Sequence, residues 1–129
     1  MKKLLIAAII SLSSVTTAAV AEVKVGIILG FTGPIESLTP AMRDGARMAF
    51  DEASNSGNLL GGETFTILEA DSTCVDSAAA TAAAEQLVAD GVAAIMGADC
   101  SGVTGAVNAN VAVPNGVLMV SPSATSPGL

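Results

Sequence analysis

Ala93-Ala-Ile-Met-Gly-Ala-Asp-Cys-Ser-Gly-Val-Thr104 reads as a short apolar strand, a glycine-containing turn and the first turn of a helix. Ser101 stands where a helix N-cap would stand. Unpaired N–H groups and the positive end of the helix dipole suit a carboxylate or other anion there. For this serine alone, an ordinary cap is the plain alternative. Cys100 adjoins it, and the only other cysteine is Cys74. A second polar turn, Ser121-Pro-Ser-Ala-Thr-Ser-Pro127, follows the next apolar run. Together the two turns read as one wall of a small-molecule site.

The same strand–turn–helix unit recurs along the chain. Val23 to Gly30 is β-branched and almost continuously apolar, as in a strand buried on both faces. Phe31 to Glu36 is a loop marked by Gly33-Pro34. Thr39-Pro40 opens a helix, with Thr39 as cap and proline at the first helical position. Met42, Ala46, Ala49, Phe50 and Ala53 recur on one face of it. Arg47 and Asp51 are spaced as an i,i+4 ion pair on the solvated side. Thr64 to Asp71 is a second strand, and Asp71 to Asp76 a polar connection that carries Cys74. Ser77 can cap an alanine-rich helix whose stripe is Ala80, Ala83, Ala84, Leu87 and Val88, with Gly91 at C′. Val92 to Met96 is the third strand. The third helix runs from Ser101 towards Val113, with Val103, Val107 and Val111 on one side, and Pro114-Asn115-Gly116 stops it. Val117 to Val120 is the fourth strand.

This β-α-β-α-β-α-β alternation predicts an α/β fold: an open parallel sheet with right-handed crossovers and helices on both faces. In such sheets ligands sit outside the C-terminal strand ends, where the strand order reverses. With the order 2-1-3-4, that point lies between strands one and three. The loops there are Phe31–Glu36, Ala98–Ser101 and Ser121–Ser126, all rich in hydroxyls, glycine and proline.

Composition narrows the function classes. Met1-Lys-Lys followed by a short apolar run and Ala19-Val20-Ala21 has the form of a secretory signal peptide, residues 1–21, cleaved before Glu22. The apolar run is too short for a membrane span, and position 22 is not the cysteine a lipid anchor needs. Without Lys2 and Lys3, only Lys24, Arg43 and Arg47 face the twelve acids, three against twelve, a net −9. Such a chain has no bulk attraction for nucleic acid or anionic membrane. Histidine, tryptophan and tyrosine are absent. A histidine triad and a His metal site are thereby excluded, and two thiolates alone cannot complete a zinc tetrahedron. No nucleophile elbow, Walker or dinucleotide glycine pattern is present, so an exported α/β enzyme is a remote alternative and no cofactor is implied. Two cysteines in an exported chain suggest one disulfide, and they can meet if their strands end on the same side of the sheet.

Five motifs in order carry a resemblance. They are Lys24 to Pro34, Gly45 to Ala49, Asp71 to Cys74, Gly97 to Ser101 and Ser121 to Pro127. Together they resemble the N-terminal part of the periplasmic solute-binding proteins of the branched-chain amino acid type, over Val23 to Leu129. The resemblance implies a type I periplasmic binding protein lobe, incomplete here, with residues 22–129 as its N-terminal ligand-binding part and a second lobe outside this sequence. It implies a Cys74–Cys100 disulfide. It places the ligand carboxylate on Ser101, with Cys100 beside it. It assigns a backbone carbonyl at Ser123 and a hydroxyl and N–H at Thr125 to the ligand, with Ala124 between them and Phe31 near the ligand side chain. The family often has alanine where this chain has Ser123, which a backbone contact tolerates. The implied protein is periplasmic and monomeric at full length, and it passes an amino acid or related solute to an ABC-transporter permease in the inner membrane. A sensor or receptor ectodomain of the same fold is the alternative. Which solute is bound stays open, from branched-chain amino acids to amides, urea-like and aromatic acid ligands.

Overall fold

The computed structural model describes residues 22–58 and 61–129. The signal peptide expected over residues 1–21 lies outside the described residues. The chain alternates strictly: β1 (Glu22–Leu29), α1 (Thr39–Asn55), β2 (Thr64–Asp71), α2 (Ser77–Ala89), β3 (Ala94–Gly97), α3 (Ser101–Val107), a π-helical turn (Asn108–Ala112), α4 (Val113–Asn115) and β4 (Leu118–Val120). The four strands form one sheet in the order β2-β1-β3-β4, and every pair is parallel. This is the predicted α/β architecture, with the reversal of strand order between β1 and β3.

β1 is the spine. Val25 to Leu29 are buried without a break because β1 has a strand on either side and helices over both faces. Alternation divides its side chains between two layers. Ile28 points into a core with Ala80, Ala84 and Leu87 of α2, Val103 and Val107 of α3, and Ile95 of β3. Gly26 shares that face: a Cβ there would lie 2.9 Å from Leu87, so glycine lets α2 lie close. Ala80 and Ala84, both fully buried, serve the same close approach. Val25, Ile27 and Leu29 point to the other face, where α1 covers β1 and β2 and Phe50 meets Phe65 edge-on at 5.0 Å. The apolar surface of α1 is shallower than its periodicity suggests. Met42, Ala46, Phe50 and Ala53 are half-buried, and Ala49 is exposed.

The helix starts differ from expectation by one residue each. Leu38, not Thr39, caps α1; the buried Thr39 hydroxyl instead donates to the carbonyls of Gly30 and Glu36. Asp76, not Ser77, caps α2, because its carboxylate accepts the N–H groups of both Ala78 and Ala79, at 2.9 and 3.0 Å. Cys100, not Ser101, occupies the cap position of α3. Arg47 does not pair with Asp51. Its guanidinium reaches Glu69 on β2 at 2.6 Å, since the helix packs over that strand. The third helix carries Val103, Val107 and Val111 into the core as expected, but widens to a π turn at Asn108–Ala112. Pro114 follows that turn and has no N–H for an i→i−4 bond. Gly116, at φ 65°, ends the helix in the left-handed region.

Candidate functional site

All four strands point their C-terminal ends at one rim, built from the segments after Leu29, Asp71, Gly97 and Val120. Two covalent and hydrogen-bonded latches hold it. The first is the disulfide between Cys74 and Cys100, whose Cα atoms are 5.2 Å apart. It ties the turn after β2 to the start of α3, as the resemblance implied. Thr73 and Cys74 stand at φ 56° and 69°, conformations that non-glycine residues rarely adopt without outside support.

Asp71 is the second latch. One carboxylate oxygen accepts the Thr73 N–H at 2.8 Å and the Thr32 N–H at 3.3 Å; the other accepts the Thr32 hydroxyl. The loop after β1 is thereby fastened to the turn after β2. Partial burial pushes the Asp71 carboxyl up, but hydrogen bonds from the Thr32 hydroxyl and from the Thr73, Thr32 and Phe31 amides outweigh it and hold the group below its ordinary value. A depressed native pKa favours folding above the unfolded value, about 3.9, and that contribution is lost as pH falls through the native value. Removing the Thr32 hydroxyl with Thr32→Val is expected to raise the Asp71 pKa, read by NMR titration of its carboxyl carbon. An unchanged titration midpoint would show that the Thr32 hydroxyl contributes nothing to stabilising the Asp71 charge.

The residues singled out in the sequence fall into two groups. Ser101 and Thr125 come together: the Ser101 hydroxyl oxygen accepts the N–H groups of Thr125 and Ser126, each at 3.2 Å. Having accepted two donors, it keeps its own O–H to donate. Ser123 and Ala124 lie in the same turn. The Ser123 hydroxyl donates to the Asp99 carbonyl at 2.8 Å, and the Ala124 N–H donates to the Ser121 hydroxyl oxygen at 2.9 Å. Ser121 in turn donates to the Ala98 carbonyl. The last turn is thus stitched to the β3–α3 turn along its length. Phe31, half-buried, belongs to the other side of the rim, beside Asp71. A hollow of about 270 Å³ between α3, β4 and the last turn is lined by Thr104, Asn108, Met119, Ser121, Ala124 and Leu129. Of the expected site residues it includes Ala124 alone.

Asp71, Thr32, Ser121 and Asp99 belong to the rim; the five motifs contain all four, but none was singled out as a site residue. Asp71 is the last residue of β2, Thr32 lies three positions past β1, and Asp99 and Ser121 lie two and one past β3 and β4; that placement at strand ends is the signal each carries. No lysine or arginine lies in the rim segments. Lys24 donates instead to the Asp90 carbonyl, and Arg43 and Arg47 pair with Asp44 and Glu69. Among the described residues, no group of three or more His, Cys, Asp or Glu could hold a metal ion. The rim segments therefore offer hydroxyls, peptide dipoles and the internally bonded Asp71 and Asp99 carboxylates rather than a fixed cation.

An open parallel sheet with helices on both faces and a polar rim at its switch point is the architecture of an α/β ligand-binding domain. The chain belongs to the periplasmic binding protein family, whose sequence profile matches residues 22–129. It is 35% identical over 109 residues to the Leu/Ile/Val-binding protein BraC3 of Rhizobium johnstonii, covering 84% of this chain and 29% of that one. It is 32% identical over 127 residues to the leucine-specific-binding protein of Salmonella typhimurium, covering 98% of this chain and 34% of that one. Among solved structures, it superposes with a TM-score of 0.75 and 31% identity on the branched-chain amino acid transporter substrate binding protein LivJ from Streptococcus pneumoniae, in complex with isoleucine. That match covers 84% of this chain and 30% of the other. The chain thus spans about a third or less of the length of these relatives. Its sheet and helices have the fold of part of a type I periplasmic binding protein lobe.

Proposed function

We propose that this chain forms the first-lobe part of an exported solute-binding protein. It captures an amino acid of the branched-chain class in the periplasm and presents it to an ABC-transporter permease. The relatives' names supply the ligand class and the transporter. The family supplies the periplasmic location. The same names favour binding over catalysis. The second lobe, which would close over the ligand, corresponds to the part of the relatives that this chain does not span.

One observation carries the site. Ser101 bridges the start of α3 and the last turn, and its O–H remains free to donate to a ligand carboxylate. The peptide dipoles of the last turn stand beside it. With no lysine or arginine in the rim, a zwitterion fits better than a simple anion, since its own ammonium balances its carboxylate.

The test is calorimetric titration of the whole exported protein with L-leucine, L-isoleucine and L-valine. Ser101→Ala is expected to weaken binding by about 10- to 100-fold, the loss of a hydrogen bond to a charged group. Binding by Ser101→Ala at the wild-type affinity would remove Ser101 from the site. Failure of the unaltered protein to bind any of the three would overturn the ligand class.

A further inference from the structure

Asp99 is 3% exposed and lies two residues past the end of β3. One carboxylate oxygen accepts the Gly30 N–H after β1 at 2.8 Å. The other accepts the Ser72 hydroxyl after β2 at 3.3 Å and the Cys100 N–H at 3.0 Å. Its backbone carbonyl accepts the Ser123 hydroxyl after β4. One residue is therefore bonded to the segments that follow all four strands. Among the described residues no cation pairs with it; the ion pairs are Arg43–Asp44 and Arg47–Glu69. A buried carboxylate without a counter-charge is costly, and here oriented N–H and O–H dipoles stabilise it instead.

We propose that Asp99 is a positioning residue for the ligand site. It acts through its neighbours. Its side chain fixes the Cys100 amide, one residue before Ser101, and its carbonyl fixes Ser123, two residues before Thr125. The spacing of the Ser101–Thr125 pair follows from these two anchors. The affinity part of this proposal rests on the functional reading above; the anchoring part does not.

The test uses the whole exported protein and two readouts: amide hydrogen exchange at Gly30 and Cys100, and the Kd for L-leucine. Asp99→Leu removes both carboxylate acceptors. It is expected to speed exchange at both amides by about 10-fold or more and to weaken L-leucine binding by about 10- to 100-fold. Asp99→Asn keeps one oxygen acceptor, so one amide stays protected and the affinity falls to an intermediate value. This variant carries the test if Asp99→Leu does not fold. Val107→Ala is the reference for a purely structural loss: it opens a core gap, so exchange at Gly30 and Cys100 should rise no more than at other core amides, and the Kd for L-leucine should stay within about 2-fold of the parent. Asp99 variants that behave like Val107→Ala, or that leave both readouts unchanged, overturn the proposal. If the unaltered protein binds no L-leucine, the functional reading fails on that ligand, while exchange at Gly30 and Cys100 still decides whether Asp99 anchors the rim.

Discussion

Gly97→Ala is expected to cost more than about 4 kcal/mol and to leave the lobe largely unfolded. Gly97 is the last residue of β3 and sits beside Ile28 of β1. Its φ is +125°, which disfavours any side chain. A Cβ there would overlap the Ile28 carbonyl oxygen and lie 2.9 Å from both its carbonyl carbon and its Cγ2. Ile28 cannot yield. It is fully buried, its strand is bonded to β2 on one side and β3 on the other, and its side chain is wedged among α2 and α3. Interiors this dense transmit a clash rather than absorb it. The end of β3 must therefore leave the sheet, taking Ala98, Asp99 and Cys100 away from the rim. Gly45→Ala is the matched contrast. Gly45 is exposed within α1, with nothing within 4 Å of its added Cβ. That variant should be stabilised by about 0.5–1 kcal/mol through helix propensity alone. Denaturant unfolding of both variants and the parent is the measurement. A Gly97→Ala protein within about 1 kcal/mol of the parent would show that the β1–β3 contact is looser than drawn.

The sheet was legible because its evidence is periodic. Four apolar runs, the first three each followed by a turn and a helical stripe, specify a parallel sheet, and crossover handedness then leaves few arrangements. Single hydroxyls were less legible. Thr39, Ser77 and Ser101 each stand one residue inside the cap position, and propensity does not say which of two adjacent residues takes that position. At α2 the aspartate prevails because its carboxylate accepts two amides. At α1 and α3 the hydroxyls have partners far along the chain: the Gly30 carbonyl for Thr39, and the Thr125 and Ser126 amides for Ser101. Such partners exist only after folding. The same holds for Arg47, which a local rule assigns to Asp51 and the packing of α1 on β2 assigns to Glu69. Asp99 is the plainest case. An acid after a strand reads as a solvated turn residue, and nothing local marks it as buried between four loops.

Removing the Cys74–Cys100 bridge is the other change expected to act strongly, and on two levels. The bond closes a loop of 26 residues' separation, so its loss should destabilise the native state by about 3–4 kcal/mol in the chain-entropy model. The local consequence is sharper than the global one. Without the bridge, Thr73 and Cys74 keep their left-handed conformations through hydrogen bonds alone, from the Thr73 amide to the Asp71 carboxylate and from the Asp76 amide to the Thr73 hydroxyl oxygen. Cys100 is the cap residue of α3 and the immediate neighbour of Ser101, so slack there passes directly to the serine hydroxyl. The Cys74→Ser/Cys100→Ser double variant, and the parent protein under strong reductant, should both unfold at lower denaturant and bind L-leucine more weakly. The two should agree, because each removes the same covalent tie. A loss of stability with unchanged affinity would mean that hydrogen bonding alone holds the rim and that the bridge serves folding only. A change of less than about 1 kcal/mol would mean that the two strand-end loops are already constrained in the unfolded chain, contrary to the entropic argument.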